Sequence, residues 1–184
     1  MKKNAFITIM ALCTTLCMAQ KKTVSIDYTP FIGTWIYQNN DTIFRINLKP
    51  IITTSRALII NRLWGGYSIS IHNTLIDNCI GLYPDSLIRE NNEEEKYNIG
   101  IDAFMYSLPE DESYLTRDKI KTIFYDKQRM HNKGNGIGGG HIVSISNDSI
   151  HWYLDEKKGA RQKELKFENL GFSVPTDVIM IREK

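Results

Sequence analysis

Apolar residues in this chain recur at every second position, in short runs that each end at Asn, Asp, Gly or Pro. A period of two places alternate side chains on opposite faces of an extended strand, so the pattern dictates strands and turns. In residues 31–38 one face carries Phe31, Gly33, Trp35 and Tyr37. In residues 42–49 Phe44, Ile46 and Leu48 alternate with Ile43, Arg45 and Asn47. Gln38-Asn39-Asn40-Asp41 between them suits a hairpin, because Asn and Asp tolerate left-handed backbone and bond their own main chain. Further strands are expected at 56–63, 67–72, 80–83, 97–106, 119–126, 140–146, 149–155, 163–168 and 176–182, with Asn147-Asp148 as a two-residue hairpin turn. Only 107–119, opening on Pro109, Glu110, Asp111 and Glu112, has helical character. Connections this short exclude crossovers, so neighbouring strands are antiparallel. The expectation is an all-β chain folded as a single antiparallel β-barrel of about eight to ten strands.

The amino terminus has a different design. Lys2 and Lys3 precede an apolar run from Ala5 to Met18 and a small residue at Ala19, the layout of a cleavable export signal. A bilayer span needs about 20 predominantly apolar residues. This run is shorter and is followed at once by Gln20, Lys21 and Lys22, so no membrane span is expected. Lipidation at Cys17 is disfavoured, because Leu16 stands where a small residue is wanted. Cleavage after Ala19 divides the chain into a signal peptide, 1–19, and one barrel domain, 20–184, exported to the periplasm or cell surface of a Gram-negative bacterium. The cut removes Lys2 and Lys3 from a chain of 23 basic and 21 acidic residues, leaving the two signs equal. A neutral surface does not suit nucleic acid. It also removes Cys13 and Cys17, leaving Cys79 alone, so no intramolecular disulfide is expected and the core must hold the fold.

Phe31-Ile32-Gly33-Thr34-Trp35 is the most informative local motif. A glycine two residues before a large aromatic allows close approach on one strand face, and the indole then plugs one end of a closed sheet. The motif resembles the opening of calycin-type β-barrels such as the lipocalins. That resemblance implies a lipocalin-like barrel with Gly33, Trp35 and Arg182 in structural roles, the arginine near the last strand stacking on the tryptophan. Residues 31–37 and 41–48, with Gly171-Phe172-Ser173-Val174-Pro175-Thr176-Asp177, also resemble an uncharacterised family of small secreted Bacteroidota proteins. This supports compartment and fold and carries over no catalytic residue.

Small barrels can enclose one ligand. Trp64, Tyr67 and Trp152 are the aromatic candidates for an apolar ligand site. Trp64-Gly65-Gly66-Tyr67 itself reads as a strand with a bulge or sharp bend. The run from Gly134 to Gly140 lacks the strand-before, helix-after context of a phosphate cradle and reads as a flexible hairpin loop. His72, His131, His141 and His151 stand at no metal-ligand spacing, so neither a metal nor a cofactor is expected. No nucleophile elbow or paired-carboxylate signature is present, and the chain does not read as an enzyme; a cavity gathering His141, His151 and an acid such as Asp126 would be the minimum to revise that. Asp41-Thr42-Ile43, Asp85-Ser86-Leu87 and Asp148-Ser149-Ile150 resemble an Asp-Ser/Thr-aliphatic O-glycosylation triplet, but such triplets also arise where a turn leads into a strand, and that is how they are read. Two partner classes stay open: a small apolar molecule inside the barrel, or a partner protein that meets either edge strands or the acidic run at 89–96 of a module with a filled core.

Overall fold

The computed structural model describes residues 27–55, 58–81, 99–105, 118–129, 136–155 and 171–184. Among these described residues, nine strands make one antiparallel sheet: β1 Gly33–Asn39, β2 Thr42–Ser55, β3 Leu58–Ile71, β4 Thr74–Asn78, β5 Ile101–Phe104, β6 Lys119–Phe124, β7 Ile137–Ser146, β8 Ser149–Tyr153 and β9 Asp177–Arg182. The order β2-β1-β9-β8-β7-β6-β5-β3 closes through a β2–β3 pairing into an eight-stranded barrel, and β4 flanks β3 outside the ring. A short 3-10 turn, Thr29–Phe31, leads into β1.

The expected alternation sets the inner wall. Trp35, Phe44, Ile46, Leu48, Leu63, Tyr67, Ile69, Ile101, Ile120, Phe124, Ile142, Ile150, Trp152 and Met180 are all buried in one core. Burying each such side chain contributes about 1.5–3 kcal/mol.

Several boundaries differ from the sequence pattern. Residues 56–63 and 67–72 are parts of one strand, β3, which runs through Trp64-Gly65-Gly66-Tyr67 in unbroken register against β2. The glycines serve close approach instead of a bulge: a Cβ at Gly66 would fall on the Cys79 carbonyl, and one at Gly65 on the Asn47 carbonyl. At this place β3 exchanges one neighbour for another, pairing with β5 through Leu63–Gly65 and with β4 from Ser68 onward. Strand β4 was not expected. It follows a tight hairpin in which His72 and Asn73 both have positive φ, 50° and 62°, the geometry of the favoured two-residue turn. Ile80 and Gly81 lie in a turn. Phe31 belongs to the 3-10 turn, not to β1, yet is still fully buried. Gly138, Gly139 and Gly140 lie inside β7, so this end of the glycine run is strand where a loop was expected; residues 134–135 lie outside the described residues. Of the helical stretch expected at 107–119, residues 107–117 fall outside the described residues, while Asp118 is in a turn and Lys119 begins β6; the strand expected at 163–168 also lies outside the described residues.

The ring closes between its first and last strands on only two residue pairs, Trp35↔Arg182 and Ile36↔Ile181. Arg182 reinforces this short seam. Its guanidinium lies 4.1 Å from the Trp35 ring centroid. Nη1, Nη2 and Nε donate to the carbonyls of Ile32, Pro30 and Asn147 at 2.6, 3.3 and 2.8 Å. Gly33, at φ 125°, leaves the room that Nη1 occupies, and Trp35 Nε1 donates to the Phe31 carbonyl at 2.9 Å. One charged group thus joins the entry turn, the β7–β8 hairpin and the last strand. Replacing Arg182 with Leu, which keeps the stem and loses the fork, is expected to lower the unfolding free energy by about 2–3 kcal/mol. Arg182→Lys should recover less than half of that, because an ammonium cannot reach three carbonyls while stacked. Urea midpoints at constant slope read both effects.

Candidate functional site

Of the three candidate ligand residues, two lie at the centre of the core. Trp152 and Tyr67 are fully buried and meet through Phe124, whose ring centroid is 5.6 Å from Trp152 and 5.0 Å from Tyr67. Phe44 adds an edge contact to Trp152 at 5.7 Å, and Phe172 one to Phe124 at 6.0 Å. Their polar atoms are spoken for within the chain: Trp152 Nε1 donates to the Pro175 carbonyl at 3.0 Å, and Tyr67 Oη donates to Asp77 at 2.8 Å while accepting from Lys127 N at 2.9 Å. Trp64 follows the inward Leu63 on β3 and is also buried. It stands on the β3 stretch that faces β5, near the Arg62–Asp102 ion pair of 2.9 Å. The three residues therefore do not line a common space: Tyr67 and Trp152 share the aromatic core, and Trp64 is on the other face of its strand.

The end of the barrel opposite Arg182 is organised by Asp126. Its carboxylate accepts from Gln128 N, Arg129 N, Ser173 Oγ and Ser173 N at 3.0, 3.1, 2.8 and 2.6 Å. Asp126 thereby fastens the turn after β6 to the segment that carries Phe172 and Val174 into the core. It is a structural acid. Cys79 lies beside Tyr67, its Sγ accepting from Tyr67 N at 3.3 Å. Burial pushes up the titration points of Tyr67, Tyr28 and the Cys79 thiol alike, so none of them is a nucleophile or base near neutral pH.

His141 and His151 do meet, but on the outer wall and without Asp126. His151 Nε2 is 2.6 Å from Asp177 Oδ1. His141 stacks on Tyr153 with centroids 4.6 Å apart, and the two imidazoles are 6.4 Å apart. Strand register brings them together: His141 opposes Tyr153 across β7–β8, and Tyr153 opposes Asp177 across β8–β9. Asp177 falls within the last strand expected at 176–182, but its pairing with His151 depends on a contact 26 residues away in sequence. The group lies on the barrel exterior, with Asp177 exposed and His141, His151 and Tyr153 half-buried. Among the described residues no three His, Cys, Asp or Glu side chains are placed to hold a metal ion. His72 is exposed at the β3–β4 turn, 3.0 Å from Asp41; His131 and the acidic run at 89–96 lie outside the described residues. Asp41 and Asp148 both occupy hairpin turns, and Asp85 is not among the described residues. No helix among the described residues is long and apolar enough to cross a membrane.

These features define an all-β protein of one closed barrel with a packed aromatic centre. A family model described as a family of unknown function, DUF6705, matches residues 1–183, and the chain belongs to that family. No curated protein and no solved structure matches it.

The raised titration points have a stability consequence with a definite sign. A group that holds its proton more tightly when folded contributes stability that is complete below its unfolded pKa and is lost as pH rises above it. For tyrosine that window opens near pH 10. The protein is therefore expected to lose stability steeply above pH 10. Tyr67→Phe should be less stable at pH 7 by about 1–2 kcal/mol, through Asp77 and Lys127 N losing their partner, yet show a shallower alkaline loss. Unfolding midpoints from pH 7 to 11, alongside tyrosinate absorbance, measure both.

Proposed function

We propose that this protein is an exported, non-enzymatic interaction module, a solid barrel that meets a partner protein through its outer surface. The observation that carries this reading is the interlocked aromatic centre: Phe44, Tyr67, Phe124 and Trp152 fill the barrel where a ligand would sit, and the polar handles of Tyr67 and Trp152 bond within the chain. Ligand pockets, by contrast, present convergent polar groups to a concave space. Among the described residues, neither the interior nor the His151–Asp177 pair offers the enclosed constellation that catalysis needs.

Export rests on the amino-terminal pattern of Lys2, Lys3, the apolar run and Ala19. Expressed in a Gram-negative host, the chain should appear outside the cytoplasm with Gln20 as its first residue and without lipid mass; intact mass and amino-terminal sequencing of the fractions test this. A mature chain that still begins at Met1 would count against it.

The filled interior has its own test. Titrating the purified protein with an apolar fluorophore such as 1-anilinonaphthalene-8-sulfonate should give no saturable signal displaceable by fatty acid. One-to-one displaceable binding, lost in Trp152→Ala, would restore the ligand reading.

A further inference from the structure

The fold leaves one hydroxyl of the inner wall unanswered. Thr122 is fully buried on β6 between the inward Ile120 and Phe124, and its Oγ1 meets no hydrogen-bond partner among the described residues. A buried hydroxyl without a partner is costly and uncommon, and internal water is the usual remedy. The wall around Thr122 also has less bulk than the rows beside it. Register sets Ala103 of β5 on one side and Gly140 of β7 on the other, all three buried, so three neighbouring strands present small residues in one row. The adjoining rows carry Ile101, Phe124 and Ile137, and Ile120 and Ile142. A Cβ at Gly140 would fall on Thr122 Oγ1, so the hydroxyl leans over that glycine towards the β7 backbone. There β7 is irregular. Thr122 pairs with Gly140 and Phe124 with Ile137, so the single residue Ile123 faces Gly138 and Gly139 together, a bulge. A bulge leaves the main-chain groups of its extra residue outside the ladder and in need of another partner. Gly138 is exposed, and a Cβ there would meet only Ile123 Cγ1 within 4 Å, at 3.9 Å, so the bulge opens to solvent.

We propose that Thr122 and the β7 bulge bind one internal water, bridging the hydroxyl on β6 to the main-chain groups that the bulge frees on β7. The class of ligand follows from the site. A hydroxyl and peptide groups, with no charged side chain in the row Ala103–Thr122–Gly140, suit a neutral hydrogen-bonding molecule and not an ion. Its size follows from the neighbours. Ile120 and Phe124 flank the hydroxyl along its own strand, and even a single carbon added at Gly140 would strike it, so the place suits one small molecule. An internal water makes about three hydrogen bonds to groups that would otherwise go without; one to Thr122 and the others to the bulge would satisfy it. Direct strand pairing cannot serve, because a step of two residues against one leaves β7 groups with no β6 group opposite. The water would stand in for the missing rung of the β6–β7 ladder. That gives a reason for threonine at an inward position where valine, its isostere, would otherwise fit.

Thr122→Val tests this, since valine keeps the shape, removes the hydroxyl and is at least as good a strand former. With water bound, the substitution breaks its bond to β6, and the unfolding equilibrium constant from urea curves should rise about fivefold. With no guest, the substitution only removes an unsatisfied polar group, and the constant should fall. A crystal structure of the mature protein that resolves ordered water gives the second readout. Density within hydrogen-bond distance of Thr122 Oγ1 and of a main-chain atom of Gly138 or Gly139 is expected in the wild type. It should persist in Thr122→Ser, which keeps the hydroxyl, and be lost in Thr122→Val. The proposal is overturned by a wild-type crystal with no water at Thr122, by a water that stays in place in Thr122→Val, or by a Thr122→Val protein more stable than the wild type.

Discussion

The structure depends on how its last strand is tied to its first. Seven of the eight junctions in the ring are made by strands close in sequence or by ladders of three or more pairs. The β1–β9 junction has two pairs, extended by Glu183 N donating to the Thr34 carbonyl at 2.9 Å, and joins residues some 145 apart. With β1 held by β2 and β9 by β8, this junction is the short link that completes the ring. Arg182 strengthens it, because its planar fork satisfies three carbonyls at once while its face rests on Trp35. Carbonyls at the mouth of a barrel have no ladder partners, and a fixed cation suits them better than mobile water.

The opposite end solves the same problem with the opposite charge. There the unpartnered groups are amides of the turn after β6 and of the 171–176 segment, and the Asp126 carboxylate gathers three of them together with the Ser173 hydroxyl. A cation collects carbonyls at one mouth and an anion collects amides at the other. Between them lies the aromatic centre, and each end group acts by pinning a plug that this centre packs against: Phe31 on one side, Phe172 and Val174 on the other.

How much of this was legible depended on whether a feature is local. The period-two pattern around Trp35, Phe44, Ile142 and Met180 identifies inward faces because a strand's alternation is set residue by residue. Gly33 and Trp35 stand in one short motif, whereas Arg182 enters only through the resemblance to calycin-type barrels; the structure places its guanidinium on the Trp35 ring. Strand β4 was missed because Thr74-Leu75-Ile76-Asp77-Asn78 is too short to show a period and its apolar residues are exposed on both sides. The glycines of β3 and β7 were misread as a bend and a loop, because a glycine's lost entropy is visible in sequence while the backbone that must approach it is not. Asp177 meets His151 through the register of β8 against β9, where a one-residue slip would send it to the other side of the wall. Asp126 meets Ser173 through two connecting segments 47 residues apart, a contact with no local signature.

Strand β9 links closure to the outer surface. The strand that seals the barrel by its shortest ladder also carries Ile179 and Ile181 on its outer side. Ile36 and Ile181 share a surface only when β1 and β9 are paired, so the outer wall at the seam exists only in the closed barrel. Arg182 holds that junction through three carbonyls and the Trp35 ring. Outside it, the Ile36–Ile181 cross-strand pair adds apolar contact to a ladder of two pairs, and a lysine at Ile181 would keep the surface soluble but give up that contact.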